Sequence, residues 1–262
     1  MPNAFQEPLD SFPLWLLFVA TVTQIFGVVE AGYRLGAYRR IHLPEQGSPV
    51  GAMAAAMLGL LAFMLAFTFG LAATRFDGRR HTILDEFNAI GTTYLRAEML
   101  PSPNREQVRT LLREYVDARV QGIATGQVVD AIARSQEIQR ALWTQATDVA
   151  KADPYSIVNG LFIQSLNEMI DLHSTRVMVG LRSRIPIVIW GALYFVAMLT
   201  MTTMGYYEGL AGTRRSLASF ALVVAFSTIL FMTVDLDRPQ EGLLRIGQQS
   251  VQDLQQFMQA SK

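Results

Sequence analysis

Four separate stretches of this chain are long and apolar enough to cross a bilayer, and no other feature limits its possible folds so sharply. They cover residues 13–33 (PLWLLFVATVTQIFGVVEAGY), 50–73 (VGAMAAAMLGLLAFMLAFTFGLAA), 186–207 (PIVIWGALYFVAMLTMTTMGYY) and 216–234 (SLASFALVVAFSTILFMTV). A hydrocarbon core about 30 Å thick takes about 20 residues of helix at roughly 1.5 Å rise each. Lipid offers the backbone no hydrogen-bond partner, so a crossing segment must pair its own N–H and C=O groups, as a helix does. One such run fits the core of a large soluble protein; four within 262 residues do not. The expected fold class is all-α: a polytopic membrane protein with four transmembrane helices in two hairpins and a helical bundle outside the bilayer.

The order of the runs divides the chain. Residues 1–73 form the expected first transmembrane hairpin, 74–185 a central helical domain, 186–234 the second hairpin and 235–262 a polar C-terminal tail. Short linkers join each hairpin, at about 34–49 and 208–215. In the centre, Ile83, Phe87, Ile90, Tyr94 and Leu95 repeat with helical period, as do Val108, Leu111, Leu112, Tyr115 and Val116. Pro101 and Pro103 separate those two helices. A third stripe runs through Ile132, Ile138, Leu142, Ala146 and Val149. A fourth helix is predicted to open on Asp153 as N-cap, with Pro154 in its first turn, and to run to about Ile185. Strand patterns are absent.

An even number of spans puts both termini and the central domain on one face. Charge does not say which face. Arg39, Arg40, Arg214 and Arg215 in the short linkers are balanced by Arg75, Arg79, Arg80, Arg176, Arg182, Arg184 and Arg238 on the other side. The first twelve residues hold Glu7 and Asp10 and no basic residue, so a signal peptide is not expected and the first span is expected to be retained.

Lys+Arg and Asp+Glu both total 22, so overall charge points to no nucleic-acid partner. The absence of cysteine excludes disulfides, thiolate metal sites and a cysteine nucleophile. His81, Asp85 and Glu86, and again Glu168, Asp171 and His173, are loose groups without the spacing of a helical metal site. No phosphate-cradling loop, nucleophile elbow or dinucleotide fingerprint is present. Neither an enzyme nor a cofactor is expected.

Three sets of residues stand out. In the second span Ala52, Ala56, Gly59, Ala62, Ala66 and Gly70 form a small-residue stripe, with Met57, Leu60, Met64, Phe67 and Leu71 on the other side. The stripe serves either close packing within one subunit or a face turned to a neighbour or a pore, where Phe63 or Phe67 would form an apolar constriction. Glu30 precedes Arg34 by four residues, the spacing of an ion pair on one helix face, and Gly32 and Gly36 make a small-xxx-small step. At the close of the fourth span Asp235, Asp237 and Arg238 precede Pro239, a cluster able to attract cations, cap a helix or pair with juxtamembrane arginines.

The segment DEFNAIGTTYLRA at 85–97, with Leu100-Pro101, LLREY at 111–115 and Leu236-Asp237-Arg238-Pro239 followed by Gly242, resembles the bestrophin-like family of bacterial four-span membrane proteins of unknown function. Asn88, Gly91, Thr92, Arg96, Asp237, Arg238 and Pro239 match the family's pattern. The resemblance implies a distant likeness to bestrophins, which are pentameric anion channels with termini and central domain in the cytosol. It implies a homo-oligomer in the bacterial inner membrane that passes small ions and whose second span lines the pore. The acidic calcium clasp of the animal proteins has no counterpart here, so calcium gating is not implied. The expected function is an oligomeric, anion-conducting channel. The alternative is a non-conducting membrane scaffold or sensor whose helical domain binds a partner.

Overall fold

The structure is a computed structural model and describes residues 12–42, 47–182, 184–212, 217–238, 254–256 and 258. These residues form seven α-helices: α1 (Leu14–His42), α2 (Gly47–Ala97), α3 (Asn104–Thr125), α4 (Val128–Ala152), α5 (Ile157–Arg182), α6 (Ile187–Ala211) and α7 (Leu217–Asp237). No strand occurs among them. The helices α1, α2, α6 and α7 are each long and apolar enough to cross a membrane. The chain is an all-α integral membrane protein.

Two compact units share the chain. The first draws on residues 1–76 and 184–244, the second on 77–183 and 245–262. In the first unit Ile25, Leu61, Leu65, Trp190, Leu193, Met201, Val223 and Leu230 form a common core. Its tightest seam joins α1 to α6. A Cβ at Gly32 or Gly36 would overlap the carbonyl of Thr202 or Tyr206, and a Cβ at Gly205 or Gly209 that of Val29 or Tyr33. Four glycines in two reciprocal pairs therefore let the two backbones touch, which in lipid replaces the missing hydrophobic drive with dispersion contacts. This seam carries α1 past the expected linker start at Arg34, because Gly36 and Ala37 pack against Tyr206 and Gly209 of α6.

In the second unit the predicted stripes become the core: Phe87, Ile90, Tyr94, Val108, Leu112, Tyr115, Ile138, Leu142, Phe162 and Leu166 pack together. The expected N-cap at Asp153 is corrected. The Asp153 N–H closes α4 on the Val149 carbonyl, and its Oδ1 accepts the Tyr155 N–H in a short turn. Helix α5 opens later, with Ser156 Oγ accepting the Asn159 N–H at 3.3 Å. Asp and Ser both suit caps; the turn at Pro154 hands the role to Ser156.

Candidate functional site

Helix α2 turns one face inward and one outward. Ala54, Leu61, Leu65, Thr68 and Ala72 are buried within the first unit. Ala52, Ala56, Gly59, Ala62, Ala66 and Gly70 all lie exposed, and no other described residue comes within 4 Å of where a Cβ would stand on Gly59 or Gly70. Phe63 and Phe67 stand beside them at 70% and 67% exposure. Among the described residues the small-residue stripe is thus exposed rather than packed into the core of the first unit.

The other sequence candidates fall at dispersed places. Arg34 Nε donates to Glu30 Oε1 at 2.7 Å, the ion pair expected from their spacing, with the arginine side chain 79% exposed. In the second unit Asn88 and Thr92 are exposed, while the hydroxyl of the neighbouring Thr93 is buried and donates to the Ala89 carbonyl. Gly91 faces Leu254 of the tail, and Arg96 donates to the Leu161 carbonyl at 2.7 Å. In the first unit Asp235, Asp237 and Arg238 are buried at the end of α7. Asp237 Oδ1 accepts the Ile185 N–H at 3.0 Å just ahead of Pro186, which supplies a partner to a donor that the chain bend would otherwise strand. Arg238 Nη2 donates to the Phe12 carbonyl at 2.8 Å. Pro239 lies outside the described residues.

The second unit also holds a buried charge cluster that the spacing of acidic and basic residues did not reveal. Glu86 of α2, fully buried, accepts from Arg119 Nη1 at 2.5 Å and from the Tyr115 hydroxyl at 3.0 Å, both on α3. Arg176 Nε of α5 lies 2.7 Å from its other oxygen, and His173 Nδ1 lies 2.9 Å from the Tyr115 hydroxyl. Gln139 of α4 donates to that same hydroxyl at 3.5 Å. Three helices thus meet at one carboxylate, and α4 joins them through the Tyr115 hydroxyl. Burial by itself would raise the Glu86 carboxyl, but the His173 hydrogen bond and the Arg119 and Arg176 charges outweigh it and hold it at about 2. Burial, then the Glu86 charge, pushes the Tyr115 phenol up, and burial together with Arg119 lowers Arg176.

The sequence grouped Glu86 with His81 and Asp85, and His173 with Glu168 and Asp171; those four companions are exposed. The legible signal was the apolar period itself, because Glu86 precedes buried Phe87 and Ile90, and Arg119 follows Tyr115 by one turn. Among the described residues no group of three or more His, Asp or Glu is placed to hold a metal ion. In the cluster the Glu86 charge is compensated by the neighbouring Arg119 and Arg176.

Solved structures share the fold. A bacterial bestrophin homolog from Klebsiella pneumoniae with a leucine-to-threonine mutation aligns with 94% of this chain and 98% of its own at 14% identity, with a TM-score of 0.67. The Klebsiella pneumoniae homolog solved by zinc phasing aligns over 94% and 97% at 15% identity, with a TM-score of 0.66. A crystal structure described as a membrane protein with a proline-to-alanine change covers 94% and 97% at 15% identity and a TM-score of 0.67. No curated protein matches the chain. The model of the Bestrophin-like domain matches residues 17–251, nearly the whole length, and on that match the chain belongs to the bestrophin-like family.

Proposed function

We propose that the protein is one subunit of an oligomeric ion channel in which the outward face of α2, around Gly59, Phe63, Phe67 and Gly70, lines the conduction path. The observation that carries this reading is that face itself: the most apolar of the spans exposes glycines and phenylalanines together. A helix meeting only lipid gains nothing from small residues, whereas one meeting neighbouring copies does. Phe63 and Phe67, one turn apart, would form an apolar constriction that passes ions when wetted. Family membership supports the class of function, and the resemblance to bestrophins implies anion selectivity. The ordered partners of Asp237 and Arg238 support a role in fixing where α7 leaves the membrane, with the second unit and termini in the cytoplasm by the same likeness.

Reconstitution of the purified assembly into planar bilayers tests the proposal. Discrete currents whose reversal potential follows the chloride gradient are expected. A folded oligomer that passes no current across several ions and voltages overturns it.

A further inference from the structure

We propose that the groove between α4 and α5 in the second unit binds a single-chain anionic amphiphile, its alkyl chain along the groove and its head on Lys151. The groove is open to solvent along one side, offers about 440 Å³ and is lined by Trp143, Ala146, Thr147, Ala150 and Lys151 of α4, Ile163 of α5 and Pro154 between them. That volume sits within the roughly 300–1,000 Å³ of ordinary small-molecule sites.

Its shape follows from helical spacing. Trp143, Ala146 and Ala150, and Trp143, Thr147 and Lys151, recur at steps of three or four residues, so the two rows lie side by side on one broad face of α4. The two alanines leave a trench, Trp143 walls one end, and Lys151 stands about 12 Å further along the helix. The one lining hydroxyl, on Thr147, is already donated to the Trp143 carbonyl at 2.9 Å and turns no donor into the groove.

Charge selects the occupant. Lys151 is the sole lysine among the described residues. It forms no ion pair there, although Asp148 and Asp153 lie within three residues. An ammonium at one end and hydrocarbon elsewhere match a carboxylate- or phosphate-headed alkyl chain. A peptide would bring N–H and C=O groups for which this lining has no partner.

Trp143 reports binding directly once Trp15 and Trp190, the other tryptophans of the chain, are replaced by phenylalanine in every protein compared. Full-length protein in zwitterionic nanodiscs would be titrated with 11-bromoundecanoate and, separately, with 11-bromoundecanol, whose bromine quenches nearby tryptophan. Saturable quenching by the carboxylate is expected, absent in Trp143→Phe and in the groove-filling Ala150→Phe. Lys151→Gln should weaken the carboxylate about threefold and leave the alcohol unchanged. Removing two methylenes from the chain should weaken binding roughly tenfold, a comparison that needs no variant to fold. Three results overturn the proposal: equal affinity for acid and alcohol, quenching that survives Ala150→Phe, or a Trp143 that acrylamide cannot reach in the assembled protein. The last would make the groove a contact between subunits. None of these readouts involves conductance, so the channel reading stands or falls separately.

Discussion

Glu86 shows how one side chain can hold three helices in register. A carboxylate taken out of water loses several kcal/mol of hydration, and only close, well-directed partners recover it. Arg119, Tyr115, Arg176 and His173 supply those partners from α3 and α5. Removing the anion leaves the buried Arg119 and the largely buried Arg176 without their shared counter-charge, so Glu86→Gln should lower stability by about 3–5 kcal/mol, measured by denaturant unfolding of the detergent-solubilised protein. The acid limb follows from the same charge. The Glu86 carboxyl sits at about 2 in the folded chain against an ordinary 4.5. Its contribution is therefore complete above the unfolded value and disappears as pH falls from 4.5 toward 2, because protons then favour the unfolded chain. Stability of the parent should drop across that interval, and Glu86→Gln should lack this part of the slope. At this scale the sequence was hard to read. Glu86 and His173 are 87 positions apart in the chain (173 − 86), each beside exposed carboxylates that made better-looking local groups.

Individual helices were far more legible, because a run of apolar residues identifies a span without knowledge of its neighbours. All four spans appear as helices, and Pro101 and Pro103 fall between α2 and α3 as expected. Ends were harder, since packing decides them. α1 continues past Arg34 because Gly32 and Gly36 are wedged against α6, and α5 waits for Ser156 because Asp153 is occupied closing α4. The small-xxx-small step at Gly32 and Gly36 was visible, but Gly205 and Gly209, its counterparts, only acquire meaning when α6 lies alongside. This gives a sharp contrast between glycines. Gly36→Val and Gly205→Leu should each cost about 1–3 kcal/mol or more through overpacking and lower the yield of folded protein. Gly27→Ala, on α1 but with nothing within 4 Å, should be tolerated. Thermal aggregation of the three variants beside the parent checks both halves, and equal losses at Gly27 and Gly36 would contradict the close seam.

At the scale of the whole molecule, a single chain exposes apolar residues for two different reasons: contact with lipid, and contact with other copies or with an aqueous path. Exposure alone does not separate them. Val19 on α1 and Leu199 on α6 are 50% and 44% exposed, and Phe63 on α2 is 70%. What separates them is composition. The α2 face sets phenylalanine among Gly59, Gly70 and four alanines, a denser run of small residues than the exposed faces of α1 (Ala20, Gly27, Ala31) and α6 (Gly191, Ala192) carry. The chain has no cysteine, so one introduced thiol is an unambiguous reporter. Phe63→Cys and Phe67→Cys should react with a charged, water-soluble thiol reagent, because a thiol facing an aqueous path ionises and one facing hydrocarbon does not. Val19→Cys and Leu199→Cys should remain unmodified under the same exposure. Modification at position 63 should also reduce the current by adding bulk and charge at the constriction, whereas treatment of the parent should leave it unchanged. If Phe63→Cys reacts no faster than Val19→Cys in the assembled, reconstituted protein, then α2 faces lipid, its small residues serve some other contact, and the conduction path must be sought along another helix.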